Sequence, residues 1–342
     1  MFSSVVLDID SAAEATRISA TILAQVRLTL RKRGAVVGLS GGVDSSVVAA
    51  LCAMALGKNN VFGVFMPDRH SSDDSLRLGR IAAEALGIEA TIDDISDTVE
   101  GAGCYQHQEE AIRQLVPEYG QGWKCKLVMP SILDSERLNV TQLTVQSPDG
   151  KSRTVRLTGT AYLQLVAATN LKQRARKMIE YYHAERLNYA VAGTPNRLEY
   201  DQGFFVKQGD GAADFKPIAH LYKTQVYQLA AHFGIPEEIR GRPPTTDTFS
   251  MPQTQEEFYF ALPYDRMDLC LYARNQHVSA TEVAPVVGLS PLQVERVFKD
   301  IDAKRRATQY LHCPALLVDD IPEVNAFTAC KRSPEKPVET EY

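Results

Sequence analysis

The chain begins with a regular alternation of short apolar runs and amphipathic stretches. The apolar runs, which are typical of buried strands, are residues 35–39, 61–66 and 88–92. The stretches with helical periodicity are residues 11–33, 45–57 and 73–86. Because parallel strands need a crossover between them, this rhythm predicts an α/β fold, a doubly wound parallel sheet with helices on both faces.

A different pattern interrupts this rhythm over residues 104–158. Two β-like runs, residues 140–145 and 154–158, flank a turn sequence at residues 147–150. We therefore expect a β-hairpin inserted into the α/β core. The pattern fits a surface embellishment, a lid or an assembly surface, and the sequence leaves these alternatives open.

The helical pattern returns after the insertion. Residues 161–186 predict a helix, residues 189–192 a strand, and the remainder is mainly helical around a loop at residues 243–246. We expect residues 1–330 to form a single domain that contains the insertion. Residues 331–342, rich in Lys, Pro and Glu, predict a loose tail.

Composition narrows the class of protein. Of 342 residues, 44% are hydrophobic and 23% charged, which is ordinary for a soluble enzyme, and the net charge of −5 argues against a nucleic-acid partner. The sequence contains neither a signal peptide nor an apolar run of about 18 residues, so we expect no membrane association and a cytoplasmic location. Six scattered cysteines without a Cys-x-x-Cys pair favour a reducing compartment and no zinc site.

A phosphate-binding turn follows the first apolar run. Two glycines let backbone N–H groups converge, the next helix points its positive end at the same place, and Asp44 offers a carboxylate to magnesium. No lysine follows the glycines, so this is not the phosphate loop of kinases and GTPases. The candidate phosphate-binding residues are Gly38, Leu39, Ser40, Gly41, Gly42, Val43, Asp44, Ser45 and Ser46.

This turn resembles the SGGxDS loop of the N-type ATP pyrophosphatases, which cut ATP to AMP. Further segments resemble the ammonia-dependent NAD synthase family, in its order and near its spacing. They are Asn170–Met178, Gly193–Glu199, Gly203–Asp214, Leu221–Gln225, Pro244–Asp247 and, more weakly, Tyr264–Asp268. The resemblance covers most of the chain outside residues 104–158.

The resemblance assigns roles on the ATP side. It implies that Asp44 and Glu199 share a magnesium ion, and that Lys223 reaches the ATP phosphates as the α–β bond breaks. Asp44 and Lys223 are thus the expected catalytic residues. Thr194 and Thr245 match positions that contact ATP.

The resemblance also assigns a site for the acid substrate. Arg174, Lys207, Asp214 and Lys304 match positions that bind deamido-NAD. Two departures lie on this side: Ala303 stands where the family has histidine, and residues 104–158 form an unusual insertion. ATP activation is therefore better supported by the sequence than the identity of the acid.

The function implied by the resemblance is amidation of deamido-NAD to NAD through an acyl-adenylate, with release of AMP and pyrophosphate. The chain has no room for a glutaminase module, so we expect free ammonia or a separate ammonia-donating protein. The family also implies a homodimer. Two alternatives stay open: an AMP-forming amide ligase for another carboxylic acid, and a nucleotide-binding sensor without catalysis.

Overall fold

The computed structural model describes residues 2–129, 141–245, 249–260, 262–321 and 323. One compact unit runs from Met1 to Leu311, and residues 312–342 form a second unit. The predicted tail at residues 331–342 lies outside the described residues. A single domain extending to residue 330 stays a prediction.

Seven strands lie in the described parts of the chain. They are β1 (Ala35–Gly38), β2 (Val61–Phe65), β3 (Glu89–Ile92), β4 (Lys124–Val128), β5 (Gln142–Gln146), β6 (Ser152–Arg156) and β7 (Ala190–Ala192). The four strands β3, β2, β1 and β7 form a parallel sheet in that order. The predicted α/β sheet is confirmed, with strand ends within about two residues of those expected from the sequence.

Twelve α-helices lie in the same parts of the chain. They are α1 (Ser11–Leu23), α2 (Val43–Leu56), α3 (Asp73–Leu86), α4 (Ser96–Gly101), α5 (Cys104–Arg113), α6 (Gly159–Leu187), α7 (Arg197–Gln202), α8 (Lys223–His232), α9 (Glu237–Arg240), α10 (Tyr264–Asn275), α11 (Ala280–Val287) and α12 (Pro291–Thr308). None of the helices in the described residues is long and apolar enough to cross a membrane.

Helices cover both faces of the parallel sheet. Val37 and its neighbours on one face pack against α1, α2, α3 and α8. Val36 and Val64 on the other face pack against α4, α5 and α6. Successive residues of a strand point to opposite faces, so a strand buried on both sides is apolar throughout, as the sequence of β1 shows.

Strand order reverses beside β1. The chain moves outward from β1 through β2 to β3 and then returns to place β7 on the other side of β1. Crossovers that leave a strand pair in opposite directions open a crevice at the carboxyl ends of those strands, where α/β proteins bind ligands. The residues that follow β1 and β7, Leu39 and Gly193, therefore stand at the expected place for a site.

The inserted region is larger than the predicted hairpin. Strands β5 and β6 form that hairpin, and β4 adds a third antiparallel strand that the sequence analysis missed. The first residue of the predicted run, residue 140, lies outside the described residues. The sheet has its own core, in which Leu127 and Leu143 pack with Ile112 of α5 and Leu165 of α6.

Candidate active site

The phosphate-binding turn joins β1 to α2. Gly41 has a φ of +75°, and a Cβ there would lie 2.3 Å from the Ser75 carbonyl oxygen, so the position requires glycine. Ser40 donates its backbone N–H to Ser45 Oγ at 3.3 Å, and Ser46 Oγ donates to the Gly42 carbonyl at 2.9 Å. These bonds fold the turn around the N-terminus of a 14-residue helix.

The segment after β7 carries the second half of the site. Asn196 caps α7: its Oδ1 accepts from the Glu199 N–H at 3.1 Å, and Glu199 Oε2 accepts from the Asn196 N–H at 3.1 Å. The Asn196 side-chain amide also donates to Asp44 Oδ1 at 3.0 Å. One asparagine thus fixes both predicted magnesium ligands. Sequence reasoning did not select Asn196, although Asn three residues before Glu is a capping signal.

Lys223, the first residue of α8, completes the cluster. Its ammonium is 3% exposed and bonds Asp44 Oδ2. Burial alone would lower the pKa of Lys223, but the Asp44 and Glu199 carboxylates outweigh burial and raise that pKa. The lysine is therefore a fixed positive charge at the turn.

Glu199 is partly buried, and its acidity is strongly altered. Burial and the nearby Asp44 carboxylate raise the pKa of Glu199 to about 8, with Lys223 opposing the shift. Two carboxylates that repel each other at one point are a donor set for a hard divalent cation. No group of three or more His, Cys, Asp or Glu side chains in the described residues is arranged to hold a metal. Phosphate and water oxygens would therefore complete a magnesium shell here.

A cavity of about 130 Å³ opens over this cluster. Asp44, Lys223 and Thr245 line it together with Gln255. Gln255 donates its side-chain amide to Glu199 Oε1 at 3.1 Å, and Thr245 pairs with Thr254 in a short antiparallel bridge. The structure thus brings Thr245 to the predicted phosphate site and adds Gln255, which no sequence motif had indicated.

A second cavity, of about 150 Å³, lies beside the turn, and Ser40 lines both cavities. Its walls include the apolar Leu39, Phe65 and Met66, with Gln173 and Arg176 of α6 as polar residues. The Arg176 guanidinium bonds the Met66 carbonyl at 3.0 Å and Asp68 Oδ2 at 2.9 Å. Arg176 therefore shapes this wall of the cavity.

The family model for NAD synthase matches residues 15–118 and 133–309, which is most of the chain. The chain belongs to the NAD synthase family. The match leaves out residues 119–132, which contain β4.

Relatives of high identity span almost the whole chain. The NH3-dependent NAD+ synthetase of Mesorhizobium japonicum is 65% identical over 317 residues, covering 93% of this chain and 99% of that protein. The NH3-dependent NAD+ synthetase of Thermotoga maritima is 36% identical over 277 residues, covering 80% and 89%. The family resemblance seen in the sequence is confirmed.

Solved structures confirm the fold. The NH3-dependent NAD synthetase of Campylobacter jejuni superimposes with a TM-score of 0.59 at 21% identity, covering 91% of this chain and all of that one. The NMN synthetase of Francisella tularensis gives a TM-score of 0.60 at 20% identity, covering 92% and 100%. Because two proteins with different products share the architecture, the NAD synthase fold alone does not define the acid.

The residues expected to bind the acid substrate of an NAD synthase lie apart from both cavities. Arg174 is exposed on α6, about 160° around the helix from Arg176. The other three contact the protein itself. Lys207 Nζ donates to the Tyr310 carbonyl at 2.9 Å, Asp214 accepts the Val191 N–H at 2.7 Å, and Lys304 Nζ donates to the Tyr259 carbonyl at 2.6 Å.

Thr194 directly follows Gly193 at the end of β7, as the NAD synthase motif requires of a residue near ATP. Its predicted contact with ATP stays a prediction. The structure therefore gathers Asp44, Glu199, Lys223 and Thr245, whereas none of the four residues predicted to bind the acid lines either cavity.

Proposed function

We propose that this chain catalyses the ATP-dependent amidation of deamido-NAD to NAD with ammonia, through an acyl-adenylate. The observation that carries the proposal is the convergence of Asp44, Glu199 and Lys223 at the N-terminus of α2. It stands in a chain that is 65% identical to an NH3-dependent NAD+ synthetase.

In the first step the nicotinate carboxylate attacks the α-phosphorus of ATP, and pyrophosphate leaves. The backbone N–H groups and serine hydroxyls of Ser40–Ser46 would bind the pyrophosphate, with the α2 dipole directed at it. Lys223 would neutralise charge that develops on the bridging oxygen. The work is mainly positioning and charge neutralisation, as in other phosphoryl transfers.

Asp44 and Glu199 would hold magnesium, which neutralises the polyphosphate and orients it when bound. The residues fit this role because both are carboxylates and because burial, together with the nearby Asp44 carboxylate, raises the pKa of Glu199. On this proposal Lys223 exchanges its bond to Asp44 for phosphate oxygens when ATP enters.

The second cavity would take the nucleoside of ATP. Apolar walls at Leu39, Phe65 and Met66 suit a purine, and the cavity adjoins the turn through Ser40. Thr194 and Thr245 would contact ATP nearer the phosphates.

In the second step ammonia attacks the acyl carbonyl and AMP leaves, giving the amide. Arg174, Lys207, Asp214 and Lys304 would bind deamido-NAD. Since Arg174 is exposed on α6, we propose that a homodimer brings a second chain to this surface. The separate ammonia donor and the cytoplasmic location stay predictions.

The nearest alternative is the same chemistry on another acid, which Ala303 and the fold shared with an NMN synthetase keep open. The deciding experiment supplies purified protein with ATP, Mg²⁺ and ammonium, and either deamido-NAD or nicotinic acid mononucleotide. We expect one AMP and one NAD per deamido-NAD consumed. Amidation of the mononucleotide alone would support the alternative, and ATP binding without turnover of either acid would support a sensor.

A further inference from the structure

Strand β4 forms one edge of the inserted sheet. Strand β4 bonds β5 along one side. Along its other side the Cys125 N–H donates to Ser250 Oγ at 2.9 Å, and the Cys125 carbonyl accepts the Met251 N–H at 3.1 Å. Gln253 donates its side-chain amide to the Leu127 carbonyl. Residues 250–253 thus lie along the open edge of β4.

Apolar packing joins the same segment to the inserted sheet. Phe249 is buried and packs with Phe258 at a ring distance of 5.9 Å. Both phenylalanines belong to the core that Leu127 and Leu143 form between the sheet and α6. Burial of a phenylalanine contributes about 2–3 kcal/mol, so this contact fixes the segment more firmly than the hydrogen bonds alone.

The segment held in this way continues directly into the active site. Gln255, two residues beyond the Gln253 bond, donates its backbone N–H to the Pro244 carbonyl at 3.0 Å. Its side-chain amide donates to Glu199 Oε1 at 3.1 Å. Gln255 also lines the cavity above Asp44 and Lys223. A continuous run of contacts therefore leads from the edge of β4 to a carboxylate of the proposed magnesium site.

We propose that the inserted sheet acts as a clamp on residues 249–255, and that Gln255 is a positioning residue that orients the Glu199 carboxylate for a divalent cation. The inference rests on the proposed function for the role of that cation. The clamping strand lies within residues 119–132, the internal segment that separates the two matched parts of the family model. On this proposal the inserted strands support the active site.

The physical reason is the geometry of ligation. A carboxylate holds a cation well only when its oxygens are presented in one orientation, and hydrogen bonds from neighbouring groups set that orientation. The amide of Gln255 occupies one oxygen of Glu199, while the Asn196 N–H occupies the other. An amide donor also favours the ionised carboxylate that a cation requires.

The test measures cation binding without turnover. Mn²⁺ is titrated into the full-length protein with neither ATP nor acid substrate present, and free Mn²⁺ is followed by electron paramagnetic resonance. We expect Gln255→Ala and Gln253→Leu each to weaken Mn²⁺ binding about tenfold, the usual effect of losing a partner of a metal ligand. Gln146→Ala is the matched control, because Gln146 bonds the turn of the β5–β6 hairpin away from the site.

A second readout reports the clamp itself. In hydrogen–deuterium exchange, Gln253→Leu is expected to speed exchange of the Met251 and Gln255 amides, while Gln146→Ala leaves both unchanged. Should Gln253→Leu fail to fold, Ser250→Ala, which removes the acceptor of the Cys125 N–H, serves instead.

Wild-type Mn²⁺ affinity in folded Gln255→Ala would overturn the positioning role. Unchanged amide exchange in the Gln253 or Ser250 variant would overturn the clamp. Neither readout uses deamido-NAD. If the protein does not synthesise NAD, the proposed function is contradicted, but the cation-binding and exchange measurements can still be interpreted.

Discussion

The side-chain amide of Asn196 lies 3.0 Å from Asp44 Oδ1 while the same residue caps the helix that carries Glu199. The two carboxylates come from the ends of different strands, and Asn196 couples them. Asp44 is thereby joined to two residues about 150 positions away in the sequence, which makes the geometry of the site depend on a helix cap.

Asn196 can be tested by separating its two roles. Asn196→Ser keeps a capping hydroxyl but lacks an amide that reaches Asp44, whereas Asn196→Ala loses both. We expect the free energy of unfolding of Asn196→Ser to lie within about 0.5 kcal/mol of the wild-type value. That of Asn196→Ala should be lower by about 1 kcal/mol, and urea unfolding measures both. Both variants should have a lower kcat, and wild-type activity in Asn196→Ser would show that the bond to Asp44 is dispensable.

Lys223 should matter for the rate more than for the fold. Lys223→Met removes the positive charge that would face the breaking α–β bond. We expect kcat to fall about 10²- to 10³-fold, as for loss of other transition-state charge partners. Steady-state kinetics at saturating ATP measures this. Lys151→Met, at a residue whose side chain is 86% exposed, is the control and should be unaffected.

Asp44→Asn tests the other catalytic residue. The substitution retains the shape of the side chain but removes the charge that Lys223 bonds and that magnesium would use. We expect activity to fall about 10³-fold or more while the melting temperature of the protein changes little. Activity near the wild-type level would contradict the assignment of Asp44 to magnesium.

The raised pKa of Glu199 predicts how the stability of the folded protein depends on pH. Its pKa is raised from 4.5 to about 8, so the folded protein keeps a proton that the unfolded chain has lost. The loss of folding stability caused by Glu199 is absent below pH 4.5, grows between pH 4.5 and about 8, and is then constant. Stability without divalent cations should fall over this window by at most about 1.4 kcal/mol per pH unit.

Glu199→Gln should remove that slope and retain the cap of α7, because Gln also serves in a capping box. The variant should therefore unfold at a higher temperature than wild type at pH 9, although we expect it to lose activity. Exposed Glu185→Gln is the control. Equal pH dependence in wild type and Glu199→Gln would show that Glu199 ionises normally.

The affinity for a divalent cation should rise with pH, whereas the stability of the cation-free protein falls. A cation must displace the proton of Glu199, so its affinity should rise with pH up to about 8. We expect the Mg²⁺ concentration for half-maximal activity to fall up to tenfold per pH unit between pH 6 and 8. A flat dependence across this range would place the cation elsewhere.

How much the sequence predicted depends on the range of the interactions. Strand β1 and the turn after it are local: four apolar residues, two glycines and a helix start specify them without help from distant parts. Glu199 and Lys223 could be assigned because family motifs surround them. Strand β4 was missed because its alternation at Cys125 and Leu127 is short, and it is a strand only through pairing with β5.

Gln255 and Asn196 were also missed, for a related reason. Their roles come from contacts with Glu199 and Asp44, across 56 and 152 residues of sequence, and no local pattern encodes such a contact. The predicted role of Lys304 rests on the family alone, while its bond to the Tyr259 carbonyl follows from tertiary packing of α12. Local sequence patterns therefore predict the turn, whereas the residues that support it become visible only through long-range packing.

The proposed first step is formation of an acyl-adenylate from deamido-NAD at this site. Exchange of labelled pyrophosphate into ATP, with Mg²⁺ present and ammonia omitted, isolates that step. We expect exchange that requires deamido-NAD and is lost in Asp44→Asn. Exchange without any acid, or NAD formation from ATP, ammonia and deamido-NAD with ADP instead of AMP as product, would contradict it.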